Sequence, residues 1–157
     1  MKVAAIQHDI VWEDPAANFA RLAPRIAEAA GEGARLAVLS EMFSTGFSMR
    51  PERTAEPVDG PSAHFLVEQA AAHRLWVCGS VPEVRAGDDK PSNTVVLASP
   101  GGDVHRYRKI HPFTYGGEHE HYGAGDEFLT LDIEGVRTSF FVCYDPASPT
   151  SSGRWRR

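Results

Sequence analysis

The apolar positions of this chain alternate between short continuous runs and stretches with helical spacing. Residues 2–7, 36–39 and 75–80 are short apolar runs, which are typical of buried strands. Between them, apolar residues three or four positions apart predict one helix that begins after Asp14 and another over residues 62–73. The chain is therefore predicted to begin as strand, helix, strand, helix and strand.

Two hairpins are predicted further along the chain. The first pairs residues 93–98 with residues 104–107, and the second pairs residues 128–133 with residues 136–143 across a Glu-Gly turn. Strand–helix alternation followed by hairpins predicts an α/β fold, with a mixed sheet that has helices on at least one face.

Two features modify this simple order of elements. Pro24 lies inside the first helical pattern and should kink or split that helix. Residues 40–61 show no clear periodicity and are expected to form a long loop.

Composition narrows the class of protein without identifying its chemistry. The 157 residues are enough for one domain, and 42% hydrophobic with 24% charged residues is ordinary for a soluble globular chain. A net charge of −5 gives no reason to expect nucleic acid or an anionic membrane as a partner, and no apolar stretch approaches bilayer length. Cys78 and Cys143 both lie in apolar runs, which favours a reducing, cytoplasmic setting over a disulfide framework.

Three reactive side chains stand at the ends of predicted strands, namely Glu41, Lys109 and Cys143. In open α/β sheets, such strand ends line the functional crevice. Each residue alone has a simpler explanation, because a glutamate or lysine after a strand is usually solvated and a strand cysteine is usually a small core residue. Cys78 is predicted to be such a core cysteine.

Taken together, the three residues make chemical sense. A thiolate is a nucleophile, and a neighbouring ammonium increases the thiolate fraction near neutral pH. A glutamate can take the thiol proton and later give a proton to a leaving amine, while a lysine stabilises a developing oxyanion. This set of groups favours acyl transfer from an amide or a nitrile.

The sequence segments around these residues resemble a known family. Leu-Ser-Glu-Met-Phe at residues 39–43, Tyr-Arg-Lys-Ile-His at 107–111 and Val-Cys-Tyr-Asp at 142–145 are similar to the three signature segments of the nitrilase, or carbon–nitrogen hydrolase, superfamily, in the family's order. Val-Ala-Ala-Ile-Gln at residues 3–7 also resembles its opening strand. The resemblance implies the front part of a four-layer α-β-β-α sandwich, incomplete at its C-terminus.

The same resemblance implies roles for individual residues. Glu41 would be the general base, Lys109 would stabilise the oxyanion and Cys143 would be the nucleophile. The backbone N–H of Tyr144 would complete the oxyanion hole. The implied cycle attacks an amide carbon, releases ammonia and hydrolyses a thioester, and it needs no metal and no organic cofactor.

The family often carries a second glutamate between the lysine and the cysteine. Glu118 best matches that position, and Glu120 is the fallback. The Met-Phe-Ser-Thr-Gly-Phe segment at residues 42–47 and the following His-rich loop resemble the ω-amidase branch, whose substrates are small ω-amides of 2-oxo dicarboxylic acids. The expected partner is thus a small-molecule amide, and a full-length chain is expected to form a homo-oligomer.

Other chemistries remain open at this point. His111, His119 and His121 lie near one another in sequence and could hold a metal ion with Cys143, although the spacing fits no common zinc motif. A cysteine-protease-like pair of Cys143 with His111 or His119 is a further alternative.

Residues 146–157 depart from the family pattern, which leads us to expect a partial hydrolase domain over residues 1–145 and an aberrant tail after it. A C-terminal truncation or a frameshift near residues 146–149 would explain this departure, and resequencing the DNA would test it. The sequence therefore predicts a cysteine-dependent amide hydrolase, and a truncation of this kind would leave it inactive. The alternative is a non-catalytic fragment or binding module that retains the front half of the family fold.

Overall fold

The computed structural model describes residues 1–143 and residue 145. The strands in this part of the chain are β1 (Val3–Ile6), β2 (Leu36–Leu39), β3 (Glu56–Pro57), β4 (Trp76–Val84), β5 (Ser92–Ala98), β6 (Val104–Arg108), β7 (Leu129–Ile133) and β8 (Val136–Phe140). The helices are α1 (Pro15–Gly31), α2 (Pro51–Thr54), α3 (Pro61–His73) and α4 (Glu118–His121), with a 3-10 turn at Thr114–Gly116. The predicted strands and both predicted helices are confirmed.

The main sheet is mixed, as the order of elements predicts. Its strands follow the order β1–β2–β4–β5–β6, and the short β3 also pairs with β4. The pairs β1–β2 and β2–β4 are parallel, whereas β4–β5 and β5–β6 are antiparallel. The ends of β2 and β6 therefore lie at the same edge of the sheet as the beginning of β5.

Both faces of the main sheet are covered, so its central strands β4 and β5 are buried along almost their whole length. In β5, Val96 and Ala98 pack in a core with α1 and α3, whereas Val95 and Leu97 pack in a second core with the β7–β8 hairpin. Successive side chains of a strand point to opposite faces, so one apolar run serves both cores.

The first helix is not split at Pro24, and this part of the prediction is wrong. Helix α1 runs through the proline as one helix. Pro24 lies on the exposed side, while Leu22 and Ile26 are fully buried against the sheet. Packing of this apolar face holds the two halves in line, and water can reach the backbone on the proline side.

The predicted long loop over residues 40–61 also contains regular structure, namely α2 and β3. Pro51 begins α2 at a position where the missing N–H costs nothing. The last predicted strand is shorter than expected, because β8 ends at Phe140 instead of continuing to Cys143. Cys143 consequently lies in a turn and not at the end of a strand.

Candidate active site

Glu41 lies two residues beyond β2, in a turn that is bound to β4. The N–H of Met42 donates to Oγ of Ser80 at 2.9 Å, and the N–H of Phe43 donates to the Ser80 carbonyl at 3.2 Å. Met42 is fully buried and has a φ of +51°, a left-handed conformation that is uncommon for a non-glycine residue. These contacts hold Glu41 at the edge of the sheet, with its side chain 28% exposed.

Lys109 directly follows β6, and its ammonium is buried between two carboxylates. Its Nζ lies 2.9 Å from Oε1 of Glu41 and 2.8 Å from Oε2 of Glu118. Burial alone lowers the pKa of Lys109, but the hydrogen bonds and charges of Glu118 and Glu41 outweigh that effect and raise the pKa above its ordinary value. The side chain therefore stays an ammonium at neutral pH.

Glu118, rather than Glu120, is the glutamate that meets Lys109. The side chain of Glu118 is fully buried at the start of α4, and the N–H of Phe113 donates to its Oε2. Glu120 is exposed. Gly117 precedes the helix with a φ of +77°, a turn conformation that glycine adopts without strain and that brings Glu118 inward.

Asn93 belongs to this buried group, and the sequence prediction missed it. Its Nδ2 donates to Oε1 of Glu41 at 2.8 Å and to Oε1 of Glu118 at 3.0 Å. Its backbone carbonyl accepts the backbone N–H of Lys109 at 2.8 Å. The local sequence carries little signal for this role, since Asn93 stands between Ser92 and Thr94 at the polar start of β5.

Cys143 is exposed and lies in a tight turn closed by Asp145. Cys143 has a φ of +46°, again in the left-handed region. The N–H of Asp145 donates to the Val142 carbonyl at 3.0 Å, and Oδ2 of Asp145 accepts the N–H of Val142 at 3.2 Å. Because this carboxylate takes the N–H that a strand would use, the backbone turns and presents the thiol.

The fully buried carboxylate of Asp145 also binds the turn to the end of β6. The hydroxyl of Tyr107 donates to Oδ2 at 2.6 Å, and the N–H of His111 donates to Oδ1 at 2.8 Å. Burial and the neighbouring Asp145 carboxylate raise the pKa of Tyr107 well above its ordinary value, so the phenol remains a donor. The sequence prediction assigned Asp145 no role, although an acid directly after a candidate nucleophile is a recognisable signal.

Glu41 and Cys143 line one cavity of about 140 Å³. Small and apolar residues complete its walls, among them Gly79 from β4 and Phe141 after β8. A carboxylate and a thiol thus share a partly desolvated space, and Lys109 is bonded to the same carboxylate. This arrangement has the groups for proton transfer and for nucleophilic attack on a small substrate.

The remaining predicted residues fall elsewhere or outside the described part. Cys78 is a buried core residue, as predicted, and burial raises the pKa of its thiol to about 12. Nδ1 of His111 lies 3.2 Å from Oδ1 of Asp145, while His119 is exposed. The predicted contribution of Tyr144 lies outside the described residues, as does the tail from residue 146 onward.

Residues 1–143 and 145 show neither the features of a metal site nor those of a membrane span. Among them, no group of three or more histidine, cysteine, aspartate or glutamate side chains is arranged to hold a metal ion. None of the helices in this part of the chain has the length and apolar character needed to cross a membrane.

Comparison with known proteins places this geometry in a family. The sequence profile of the carbon-nitrogen hydrolase family matches residues 2–153. Omega-amidase YafV of Escherichia coli K12 is 31% identical over 153 residues, which cover 97% of this chain and 57% of that protein. The 2-oxoglutaramate amidase of Bacillus subtilis is 28% identical, over 94% of this chain and 57% of that enzyme.

Solved structures share the fold. XC1258 from Xanthomonas campestris, a CN-hydrolase superfamily protein with an arsenic adduct in its active site, superposes with a TM-score of 0.87 at 33% identity, over 94% of this chain and 55% of that one. Nit3 of Saccharomyces cerevisiae, from the nitrilase superfamily, gives a TM-score of 0.84 at 27% identity, over 98% of this chain and 60% of its own.

These matches confirm the predicted family and its mixed α/β fold. The chain spans little more than half the length of the relatives that it matches, and the described residues correspond to the front portion of the domain. The predicted boundary at residue 145 stays a prediction. The chain belongs to the carbon-nitrogen hydrolase family.

Proposed function

We propose that this chain carries the site of a cysteine-dependent amide hydrolase, which converts a small non-peptide amide and water into a carboxylate and ammonia. One observation carries the proposal: Cys143 and Glu41 share a cavity, and the same Glu41 carboxylate is bonded to the buried ammonium of Lys109. A thiol, a base and a fixed positive charge are the groups that acyl transfer from an amide requires.

In the first half of the proposed reaction, Glu41 takes the proton of the Cys143 thiol and Sγ attacks the amide carbon. The carbonyl oxygen becomes an oxyanion, which Lys109 stabilises together with the backbone N–H of Tyr144, as the family resemblance implies. The C–N bond then breaks, and the leaving nitrogen receives the proton from Glu41. Ammonia departs, and an acyl thioester remains on Cys143.

In the second half, water attacks the thioester and gives a proton to Glu41. The C–S bond breaks, the sulfur takes that proton back from Glu41, and the product leaves as a carboxylic acid, which gives its proton to the released ammonia and becomes a carboxylate. Glu118 takes no proton in this scheme and serves to hold the ammonium of Lys109 in place. Each proton and each bond is accounted for by the chain, the amide and one water.

The relatives support a proposal for the substrate class. Because the similar proteins include an omega-amidase and a 2-oxoglutaramate amidase, we propose a small ω-amide as the substrate. We also propose that the protein works in the cytoplasm and that its full-length form is a homo-oligomer. A binding module that retains this front half without turnover is the second candidate, and it is favoured by the coverage of only 57% of each relative.

Ammonia release from a 2-oxo ω-amide by the purified chain tests the proposal. We expect Cys143→Ala to lower the rate by about 10⁴-fold or more, since a nucleophile cannot be replaced by its neighbours. Ammonia release that survives Cys143→Ala would overturn the mechanism. A folded chain with no release, whose Cys143 nevertheless reacts with iodoacetamide faster than Cys78, would identify the binding module instead.

The two glutamates of α4 provide a matched pair of variants. Glu118→Gln should lower ammonia release by about 100-fold, because Lys109 loses one of its two carboxylates. Glu120→Gln, two positions away on the exposed side, should leave the rate unchanged. Equal rates for the two variants would contradict the assigned role of Glu118.

A further inference from the structure

Asn93 contacts both carboxylates of the proposed site through its side chain and the residue that carries the ammonium through its backbone. Its side-chain amide donates to Glu41 and to Glu118, and its backbone carbonyl accepts the backbone N–H of Lys109. The residue is 1% exposed. It lies near the start of β5, where β6 leaves the sheet and Lys109 begins the loop that leads to Glu118.

The charges around Asn93 are unbalanced. One ammonium stands between two carboxylates, so a net charge of minus one remains among Glu41, Glu118 and Lys109. Two carboxylates at such close range repel one another, and each is stabilised by donors. The amide of asparagine has two N–H groups on one nitrogen, whereas a serine or threonine has a single donor and an aspartate has none.

The orientation of the amide has a measurable cost. Oδ1 of Asn93 is buried and has no hydrogen-bond partner among the described residues. A buried acceptor without a partner is unfavourable, yet the reverse orientation would point this oxygen at two carboxylates. The charges of Glu41 and Glu118 therefore determine which way the amide faces.

Among the described residues, both hydrogen bonds to the Glu41 side chain are made to Oε1, from Asn93 and from Lys109. Glu41 and Cys143 line the same cavity, and the second oxygen of Glu41, Oε2, is not bonded by Asn93 or Lys109. A carboxylate with one oxygen held in this way has a defined second oxygen for proton transfer.

We propose that Asn93 is a positioning residue, which separates Glu41 from Glu118 and leaves Oε2 of Glu41 as the oxygen that accepts the Cys143 proton. The inference rests on the proposed function. It deepens that proposal by assigning a role to a residue that does not touch the substrate.

The titratable groups that face Glu41 are Lys109, Glu118 and Cys143. Losing the Asn93 donor removes a hydrogen bond that holds the carboxylate of Glu41 beside the cavity of Cys143 and stabilises its charge. We therefore expect the acid limb of the Cys143 reactivity profile to move to higher pH in Asn93 variants. We also expect the plateau rate to fall by about 10- to 100-fold because of misplacement.

The test measures the rate of Cys143 alkylation by iodoacetamide against pH, using the full chain and intact-protein mass spectrometry. This alkylation rate can be measured without any turnover of an amide substrate. Asn93→Leu removes both donors, and Asn93→Ser keeps one. We expect the plateau rate to be highest in wild type, lower in Asn93→Ser and lowest in Asn93→Leu. The acid limb should lie at the lowest pH in wild type, at higher pH in Asn93→Ser and at the highest pH in Asn93→Leu.

The control for general destabilisation is Asn18→Ala. Asn18 is also fully buried and bonds to the backbone of Val11 and Ser44, so its loss should lower the melting temperature without moving the acid limb. An unmoved acid limb in folded Asn93→Ser would overturn the inference. So would an equal shift in Asn18→Ala.

Glu41→Gln separates this inference from the proposed function. If Glu41→Gln leaves the alkylation profile unchanged, Glu41 is not the base and the proposed function fails. If Glu41→Gln abolishes the acid limb while both Asn93 variants keep it in place, the positioning role alone fails.

Discussion

The two sides of the candidate site are built in opposite ways. The ammonium of Lys109 and the carboxylate of Glu118 are buried, and each makes an ion pair and further hydrogen bonds. The thiol of Cys143 is exposed on a turn with a left-handed backbone, and one buried carboxylate holds that turn. Groups that must keep a fixed charge are enclosed, whereas the group that must meet a substrate is presented. Three substitutions can break or sharpen this contrast.

The largest effect should come from Lys109→Met. This change leaves the buried carboxyl group of Glu118 with no cation beside it, and breaking a buried pair in this way costs about 3–5 kcal/mol of unfolding free energy. Urea denaturation measures the loss, and ammonia release should fall with it. Lys90→Met, an exposed lysine that bonds only a backbone carbonyl in the described part of the chain, should change stability by less than about 0.5 kcal/mol. Similar losses in both variants would remove the distinction between the enclosed side and the surface.

A smaller effect is expected for Asp145→Ala. The change leaves donors of Val142, Tyr107 and His111 without their acceptor, which should cost about 2–3 kcal/mol. Alkylation of Cys143 should slow because the turn no longer holds the thiol in place.

The matched control for that variant is Asp132→Ala. Asp132 also accepts a backbone N–H in a turn, from Gly135, but it is exposed at the tip of the β7–β8 hairpin. Its loss should cost about 1 kcal/mol or less and leave alkylation of Cys143 unchanged. If Asp145→Ala alkylates as fast as wild type, the turn does not depend on that carboxylate.

The smallest effect should be that of Tyr107→Phe, which removes one hydroxyl from Asp145 and should cost about 1 kcal/mol. Because the pKa of Tyr107 in the folded chain lies above its unfolded value of about 10, its contribution is fully present below that pH and is lost as pH rises through the folded pKa. The difference in melting temperature from wild type should thus stay constant from about pH 6 to pH 9.

An absorbance titration checks the same point independently. Wild type and Tyr107→Phe should show equal phenolate signals around pH 10, because Tyr107 remains protonated there. Tyr115→Phe, at a tyrosine that is 94% exposed, should leave the melting temperature unchanged and serves as the control. A smaller phenolate signal in Tyr107→Phe would mean that Asp145 does not hold the phenol in its protonated form.

Much of this architecture could be predicted from local patterns. Strand and helix positions follow from apolar spacing, and the segments around Glu41, Lys109 and Cys143 indicate the family. The turn at Cys143 could not be predicted as readily, since residues 136–143 end in the apolar run Phe-Phe-Val-Cys and read as one strand. The run is interrupted by the Asp145 side chain, whose competition for a backbone N–H depends on burial that spacing does not reveal.

Asn93 was missed for a related reason. Its role depends on partners that lie far away in sequence, 52 positions from Glu41 and 25 positions from Glu118. Nothing in the local pattern of β5 distinguishes it from a polar residue that begins a strand. Pro24 is the reverse case, in which a strong local signal yields to the packing of the whole helix on the sheet.

These wide separations also govern when the site forms during folding. The bond between Lys109 and Glu41 closes a loop across 68 positions, and the bond between Tyr107 and Asp145 closes another across 38. Loops of this length are entropically costly to close before the sheet is in place, and folds rich in distant contacts are slow to form. In a refolding experiment, the native rate of iodoacetamide labelling at Cys143 should therefore be regained later than the secondary structure. It reports when the native topology is complete.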